Sequence, residues 1–342
     1  MCGREFPGGD LRSRAAVEWP TLAMLTGCYA VWFAALFVLP QVSLALSVAI
    51  AGIAIALHSS LTHEVVHGHP FRNQSINAAL VFPALTLVIP YLRFKDTHLA
   101  HHEDSNLTDP YDDPESNFAD PMRWHRFPGW LKSVLRFNNT LLGRVTVGPL
   151  IGQIAWVAGD IRAIFCGNRR VALGWALHIP AVVMTIWIVS LSSMPIWSYC
   201  FAAYFGLSLL KIRTFLEHRA HEKSRARTVV IDDKGPLAWL FLNNNLHAVH
   251  HRHPKIAWYE LPKIYHASPD KYLSCNEHYS YNSYAEIFGR FFWRAKDPVP
   301  HPLWPSPEND AIEMHGPLDT NNLGRSLGAN GTLRAAKEVE RV

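Results

Sequence analysis

The chain has 342 residues, of which 49% are hydrophobic and 18% are charged, and its formal net charge is +4. This small charge, without a recognisable nucleic-acid-binding motif, argues against a nucleic acid partner. The apolar residues are not spread evenly, because residues 19–57 and 171–210 contain no charged side chain. Such a distribution excludes an ordinary soluble domain and indicates an integral membrane protein.

Each uncharged run is about twice the ~20 residues that a helix needs to cross a bilayer, so each predicts a helical hairpin. The turn residues are Pro40 and Gln41 in the first run and Ser192 to Pro195 in the second. The sequence therefore predicts an all-α fold with two transmembrane hairpins. The four predicted spans cover about residues 20–39, 41–58, 171–192 and 195–212.

Neither turn carries a charge, whereas basic residues collect at the opposite ends of the hairpins. By the positive-inside rule those ends face the cytoplasm, so both termini are expected there, in a bacterial inner membrane. We divide the chain into a cytoplasmic segment 1–18, a membrane domain 19–292 and a tail 293–342 that is rich in Pro, Gly and Asn and expected to be disordered. The basic residues are Arg4, Arg12, Arg14, Arg72, Arg93, Lys95, Arg169, Arg170, Lys211 and Arg213.

Shorter apolar and polar segments separate the hairpins. Residues 76–92 are uncharged but contain Pro83 and Pro90, which favours a re-entrant or interfacial element over a span. The acidic stretch "LTDPYDDPES" is interpreted as a surface loop, and "MRWHRFPGWLKSVLRF" as an amphipathic surface segment. Residues 145–159 are also expected to be interfacial.

Histidines recur in three short boxes at the predicted cytoplasmic side. Imidazoles at positions i, i+3 and i+4 of a helix project from one face, so each box would present two or three ring nitrogens together. A further pair lies in "RTFLEHRAH", directly after the second hairpin. The boxes are His63-x-x-x-His67, His98-x-x-His101-His102 and His247-x-x-His250-His251, and the further pair is His218 and His221.

So many neutral imidazoles brought together would leave ring nitrogens desolvated without a partner, and bound metal removes this cost. Eight boxed histidines exceed one tetrahedral site, so the count favours two metals with open positions. Imidazole suits iron, zinc and copper alike, and the residues alone do not choose among them. The cytoplasmic helices are thus predicted to form a cap that holds a di-metal site.

Other histidines and acidic residues have less specific interpretations. Four of these histidines are expected either to hydrogen-bond to the metal-ligating residues or to face solvent, namely His58, His69, His125 and His253. His178 is expected to make an interhelical hydrogen bond. The carboxylates beside the boxes either orient imidazoles or are solvated. They are Glu64, Glu103, Asp104 and Glu217.

The three boxes, spread over two hairpins, resemble those of the integral-membrane fatty acid desaturase and hydroxylase superfamily, from about Trp19 to Phe292. The resemblance implies a non-haem di-iron centre that activates O2 to attack an acyl C–H bond. It implies that the boxed histidines are the iron ligands and catalytic residues. It also implies a ninth ligand after the last span, where His218 in "FLEH" fits best and His221 is the alternative. The implied set is His63, His67, His98, His101, His102, His218, His247, His250 and His251.

Two electrons from outside are needed for this chemistry, and the chain carries no motif for its own electron carrier. It has no cysteine set for an iron–sulfur cluster and no dinucleotide-binding motif. The stretch "FPGGD" has Pro-Gly-Gly but lacks the histidine of the family's fused cytochrome domains. We therefore expect a separate ferredoxin- or rubredoxin-like donor, besides the acyl substrate and membrane lipids.

The three boxes are specific for the superfamily, but they distinguish only poorly among the reactions that its members catalyse. Desaturation of a long acyl chain is favoured modestly, because membrane alkane hydroxylases carry one more residue in the second box. Fatty acid or alkane hydroxylation and decarboxylation to a 1-alkene stay open, as does carotenoid oxygenation, since "RHPKIAWYELP" is similar to carotenoid ketolases. A metal transporter is the alternative outside enzymes. The long uncharged runs hold only His178 deep inside a helix, which disfavours it.

Overall fold

The computed structural model describes residues 17–103 and 106–305. Residues 1–16 of the predicted N-terminal segment, Asp104 and residues 306–342 of the predicted tail lie outside the described residues. The first half of the described chain holds α1 (Trp19–Phe37), α2 (Leu44–Val66), α3 (Gln74–Leu80), α4 (Tyr91–Glu103), α5 (Pro121–Arg126), α6 (Gly129–Asn138), α7 (Leu141–Thr146) and α8 (Gly148–Phe165). The second half holds α9 (Arg169–Ser190), α10 (Ile196–Thr214), β1 (Val230–Ile231), α11 (Pro236–Leu240), α12 (His247–Arg252), α13 (Leu261–Ala267), α14 (Pro269–Cys275), β2 (Ser280–Tyr281) and α15 (Tyr284–Phe291).

Three helical segments are long and apolar enough to cross a membrane. They are Trp19–Gln41, Leu44–Val66 and Arg169–Ser190. The fourth predicted span corresponds to α10, which does not meet the same criterion in the described chain. Lys211 and Arg213 in its last turns, together with its serines and tyrosines, lower its mean hydropathy. The protein is thus mostly helical with three candidate spans, and a fourth stays a prediction.

Helix α2 is longer than the span predicted at 41–58, because it continues to Val66. No helix-breaking residue occurs before Gly68, which adopts a φ of 100° that favours glycine. Residues 59–66 therefore lie in the same helix as the apolar run. As a result the first histidine box begins on the last turn of a candidate span instead of following it.

The two hairpins turn at the same end of the molecule and pack together there. Leu36 from the end of α1 and Met194 from the second turn belong to one buried cluster with Trp32, Ile55 and Tyr199. The Trp32 indole donates a hydrogen bond to Tyr199 Oη at 3.3 Å. The opposite ends of α2 and α10 consequently lie together at the histidine-bearing side.

Two glycines let α2 and α10 approach closely. A Cβ at Gly206 would lie 2.8 Å from the carbonyl oxygen of Gly52, and one at Gly52 would lie 2.4 Å from Phe205 Cδ1. Small residues at such crossings are typical of helices that pack in a membrane. This contact holds the first box on α2 beside the segment that follows α10.

The predicted re-entrant element is a non-helical segment between α3 and α4 whose Leu85 is fully buried against the hairpins. Backbone carbonyls cannot be left unpaired in an apolar environment. Here side chains from the surrounding helices donate to them. The bonds run from Tyr199 Oη to Leu85 O at 2.9 Å, from His178 Nε2 to Leu87 O at 3.0 Å and from Gln153 Nε2 to Val88 O at 2.7 Å.

The chain after α10 forms a second layer of short helices around one parallel pair of two-residue strands, β1 and β2. Phe215, Ile231, Phe241 and Tyr279 are buried together there. This layer joins α2 through Glu64, whose carboxylate accepts a hydrogen bond from the Trp258 backbone N–H at 3.1 Å. The layer therefore fixes the third box relative to the first.

The start of the predicted disordered tail is ordered in the structure. The Ala119 N–H donates to the Val299 carbonyl and the His301 N–H donates to the Ala119 carbonyl, both at 2.9 Å. Val299 and His301 are both buried. The prediction of a tail beginning at residue 293 is thus wrong for residues 293–305, since apolar side chains and backbone pairing outweigh the proline-rich composition.

Replacing Gly206 with leucine is expected to destabilise the protein, because the side chain would meet backbone atoms of α2. We expect a loss of about 1–3 kcal/mol, measured as a lower thermal unfolding temperature in detergent. Gly27→Leu is the matched control, since no atom lies within 4 Å of a Cβ at that position. Equal unfolding temperatures for the two variants would contradict the close contact.

Candidate metal centre

The three boxes lie on three helix segments that converge. His63 lies on the last turn of α2 and His67 caps its end, while the second box occupies the last turns of α4. The third box forms most of α12, which is held beside β1 by a hydrogen bond from the Ala248 N–H to the carbonyl of Val229, the residue before β1, at 2.9 Å. His218 lies on the extended chain after α10, in an isolated antiparallel bridge with Thr228.

The structure brings the nine predicted histidines together in two adjacent groups. In each group one ring nitrogen per residue lies within 4.8 Å of the corresponding atom of every other member. The groups touch where the rings of His102 and His251 stack, with centroids 4.2 Å apart. The first group contains His63, His67, His98, His102 and His250, and the second contains His101, His218, His247 and His251.

Hydrogen bonding at the outer nitrogens determines which inner nitrogens are free. His98 Nδ1 lies 3.0 Å from Glu115 Oε1, and His101 Nδ1 lies 2.7 Å from Asp113 Oδ1. A carboxylate only accepts, so each Nδ1 carries the proton and donates it. In the neutral rings both Nε2 atoms then present a lone pair to the centre.

These lone pairs face other imidazoles at short range. The Nε2 atom of His98 lies 3.0 Å from that of His67, and the Nε2 atom of His101 lies 2.9 Å from that of His218. His63 Nε2 is buried and has no hydrogen-bond partner among the described residues. Nitrogens so close and so poor in protons fit a cation between them, as the metal-site prediction requires.

Electrostatics keep most of the nine rings neutral, which is the form that binds metal. Burial, and then the neighbouring imidazoles, lower the pKa of His102 to about 3. The same causes hold the pKa values of four other rings well below the ordinary value, with burial the largest cause in each. Those rings belong to His218, His247, His250 and His251.

His101 behaves differently from its neighbours. Burial disfavours its charged form, but the hydrogen bond to Asp113 and the charge of Glu115 outweigh burial and raise the pKa of His101 to about 9. In the metal-free protein a proton and a metal ion therefore compete for its Nε2 atom. The carboxylate of Asp113 thus controls both the tautomer and the basicity of this ring.

Asp113 and Glu115 lie in a loop, as predicted for the acidic stretch, but the prediction of a surface position is wrong for Asp113. Asp113 is 4% exposed and also accepts a hydrogen bond from the Thr108 N–H at 2.8 Å. The loop folds back over α4 and places both carboxylates against the second box. The clue in the sequence was a run of acidic and turn-forming residues just after a histidine box.

The other carboxylates beside the boxes differ in role. Glu64 lies 3.5 Å from His63 Nδ1, whereas Glu103 is exposed. Glu217 acts through Asn244, which donates to Glu217 Oε1 at 3.2 Å and accepts from His247 Nδ1 at 3.1 Å. Asn244 was not singled out from the sequence.

The remaining histidines lie outside both groups. His221 Nε2 lies 3.2 Å from Glu277 Oε2, so the structure brings His218, and not His221, to the centre. His178 bonds to the re-entrant segment instead of to another helix. His58 contacts Tyr29 Oη at 3.0 Å, His69 contacts Glu18 at 2.5 Å, His253 contacts Tyr272 Oη at 3.1 Å and His125 is exposed.

Two cavities adjoin the histidine groups. One, of about 530 Å³, lies between α8 and α10 and is lined by Trp156, Leu207 and His218 among others. The other, of about 250 Å³, lies between α2, α9 and the re-entrant segment. Phe94 lines both cavities, and its ring stacks on His98 with centroids 5.4 Å apart.

Comparisons with known proteins agree with this arrangement. Residues 36–282, more than half of the chain, match the sequence model of a family described as "Fatty acid desaturase". The chain is also 25% identical over 217 residues to the beta-carotene ketolase of Paracoccus sp. (strain N81106 / MBIC 01143), a match that covers 62% of this chain and 72% of that protein. All nine grouped histidines fall within the family match.

If each group holds one ion, the purified protein should contain about two metal ions per chain. His218→Ala is expected to lower the content by about one ion, because it removes one ligand from the four-histidine group. His221→Ala is the matched control and should keep the full content. Elemental mass spectrometry measures both. Equal metal content in the two variants would show that His218 is not a ligand.

Asp113→Asn should weaken metal retention, since it removes the charge that orients His101. Loss of such a carboxylate costs roughly 10–100-fold in metal affinity, which competition with a chelator measures. Asp112→Asn, at the exposed neighbouring position, is the control. The assignment fails if Asp113→Asn holds metal as tightly as the control.

Proposed function

Because the chain belongs to the fatty acid desaturase family, we propose that it is an O2-dependent di-iron oxidoreductase that introduces a double bond into a long acyl chain. Membership of the family and three long apolar helices make it an integral membrane protein. The observation that carries the proposal is the pair of histidine groups beside a cavity between α8 and α10 whose wall combines apolar side chains with polar and charged ones.

The nine grouped histidines would hold the two iron ions, five around one and four around the other. The chemistry supplied by a bound iron pair is the activation of O2 for attack on an unactivated C–H bond. The chain's own contribution is to hold the ligands. Glu115 and Asp113 keep the protons of His98 and His101 on Nδ1, so the inner nitrogens stay available.

The cavity of about 530 Å³ has the size of typical ligand sites, about 300–1,000 Å³. Trp156 and Leu207 on its walls would shield an acyl chain from water, and His218 at its edge brings it to the ligands. Desaturation removes two hydrogen atoms from adjacent carbons. With two further electrons and two protons, O2 is reduced to two molecules of water.

Those two electrons need an external donor, for which we propose a separate ferredoxin- or rubredoxin-like protein. The basic ends of the helices lie on the same side as the histidines, at Arg169, Arg170, Lys211 and Arg213. By the positive-inside rule this supports an active site at the cytoplasmic face of a bacterial inner membrane, where such donors occur.

Oxygenation of a carotenoid is the second candidate. It is favoured by the similarity to a beta-carotene ketolase and by the stretch "RHPKIAWYELP" after the third box. Hydroxylation and 1-alkene formation use the same arrangement of ligands. Metal transport is disfavoured, because the nine histidines form closed groups at the end of the helices and His178, inside α9, is engaged with the Leu87 carbonyl.

Expression in a bacterial host that supplies ferredoxin and also makes β-carotene tests the proposal. We expect new double bonds in acyl chains, found by mass spectrometry of the lipids, and unchanged carotenoids. The reason is that the cavity between α8 and α10 is lined by apolar and by charged side chains, which suits an acyl chain with a polar head better than an uncharged carotenoid. Accumulation of an oxidised carotenoid, an alcohol or a 1-alkene without new double bonds would refute desaturation.

The matched inactive control is His250→Ala, which removes a ligand of the five-histidine group. Product should be lost in it while the protein remains in the membrane fraction. His125→Ala changes an exposed histidine outside both groups and should keep activity.

A further inference from the structure

We propose that the cavity between α8 and α10 binds the anionic head of its acyl substrate through Lys211 and Arg144. This inference rests on the proposed function for the acyl chain and adds the chemistry of the head group. It predicts a carboxylate or phosphate at the polar part of the cavity. A neutral ester or an uncharged carotenoid offers no such group.

The proposal starts from the pairing of charges on the cavity wall. Four cationic side chains line it, and two of them are neutralised by carboxylates. Arg213 Nε lies 3.2 Å from Glu217 Oε1, and Lys296 Nζ lies 2.8 Å from Asp297 Oδ2. The other two cations are Lys211 and Arg144.

The remaining carboxylates on the wall already have partners. Asp160 binds Arg93 in a bidentate pair at 2.8 and 2.9 Å, and Asp113 and Glu115 bind the outer nitrogens of the second box. None of them lies within 4.0 Å of Lys211 or Arg144. Two positive charges on the wall of this cavity are therefore left without a carboxylate partner in the described chain.

Lys211 lies in the last turn of α10 and lines the cavity, and it has neither a hydrogen bond nor an ion pair among the described residues. Its ammonium group lies over Gly152 of α8, where a Cβ would be 3.2 Å from Nζ. An ammonium group that lines a cavity without a carboxylate partner favours an anionic occupant of that cavity.

Arg144 is buried in α7, with 5% of its surface exposed. Its guanidinium donates to the Asn138 carbonyl at 3.1 Å and to the side-chain oxygens of Asn139 at 3.2 Å and of Asn117. All three acceptors are neutral, so they position the guanidinium without cancelling its charge. The two cations thus act on the same cavity from α7 and α10.

The placement of the cations relative to the metal groups fits a head-group anchor. The same stretch of chain contributes Lys211, Thr214 and His218 to the wall of this cavity. A head held at Lys211 would keep the acyl chain within the space that His218 borders. Such an anchor would orient the chain before reaction, as positioning groups do in other enzymes.

The test measures binding of palmitic acid and methyl palmitate to the purified, metal-loaded full chain in a non-ionic detergent. We expect the acid to bind about tenfold more tightly than the ester, since a hydrogen bond to a charged group contributes that much. Lys211→Met should remove this preference by weakening the acid alone, and Lys211→Arg should retain it. Lys263→Met, at an exposed position away from the cavity, is the control.

A second arm replaces the acid with phosphatidylglycerol and the ester with diacylglycerol, which separates a lipid phosphate from a free carboxylate as the source of the charge. A Lys211-dependent preference in either arm supports the anchor. Equal affinity for charged and neutral ligands in both arms, or a preference that survives Lys211→Met, overturns it. The readout needs no turnover, so a failure of the proposed reaction would be seen separately in the lipid analysis.

Discussion

The structure depends on one electrostatic constraint, which is that unprotonated ring nitrogens cannot face one another in a buried site without a cation between them. The nitrogens of His98 and His67 lie 3.0 Å apart, and those of His101 and His218 lie 2.9 Å apart. Each is carried on a different element, so the elements must be held in place by other contacts. Glu64 ties α2 to the layer after α10, and Asp113 ties α4 to its own loop. The fold can thus be understood as a frame that holds the inner ring nitrogens of different elements close together.

Much of this frame is predictable from local spacing. The i, i+3, i+4 pattern identifies the boxes because it depends only on helix geometry, and the uncharged runs identify the hairpins for the same reason. The span predicted at 41–58 is shorter than α2 because a hydropathy argument stops where polar residues begin, while the helix continues to Val66, just before Gly68. The roles of Asp113 and Glu115 escaped prediction because they depend on a loop folding back over 12 and 17 residues. Iron, the electron donor and the orientation in the membrane stay predictions.

The non-helical segment before α4 shows that tertiary contacts can stabilise a backbone conformation that is unfavourable by itself in an apolar environment. Pro83 and Pro90 prevent a span, so the segment needs partners for its carbonyls inside an apolar bundle. Tyr199, His178 and Gln153 supply them from three different helices. Polar side chains in α8, α9 and α10 therefore have structural roles, and the hydrogen bond predicted for His178 is made to this segment instead of to another helix.

Phe94 lies between the two cavities with Ser59 and Ile89, which also line both, and its ring lies on a histidine of the candidate metal centre. A smaller side chain at this position would join the spaces into one longer passage without altering any metal ligand. The length or shape of molecule that fits beside the nine grouped histidines can accordingly change at this one position while the histidines stay the same. The volume open to a bound molecule and the set of grouped nitrogens are thus separate properties of the structure.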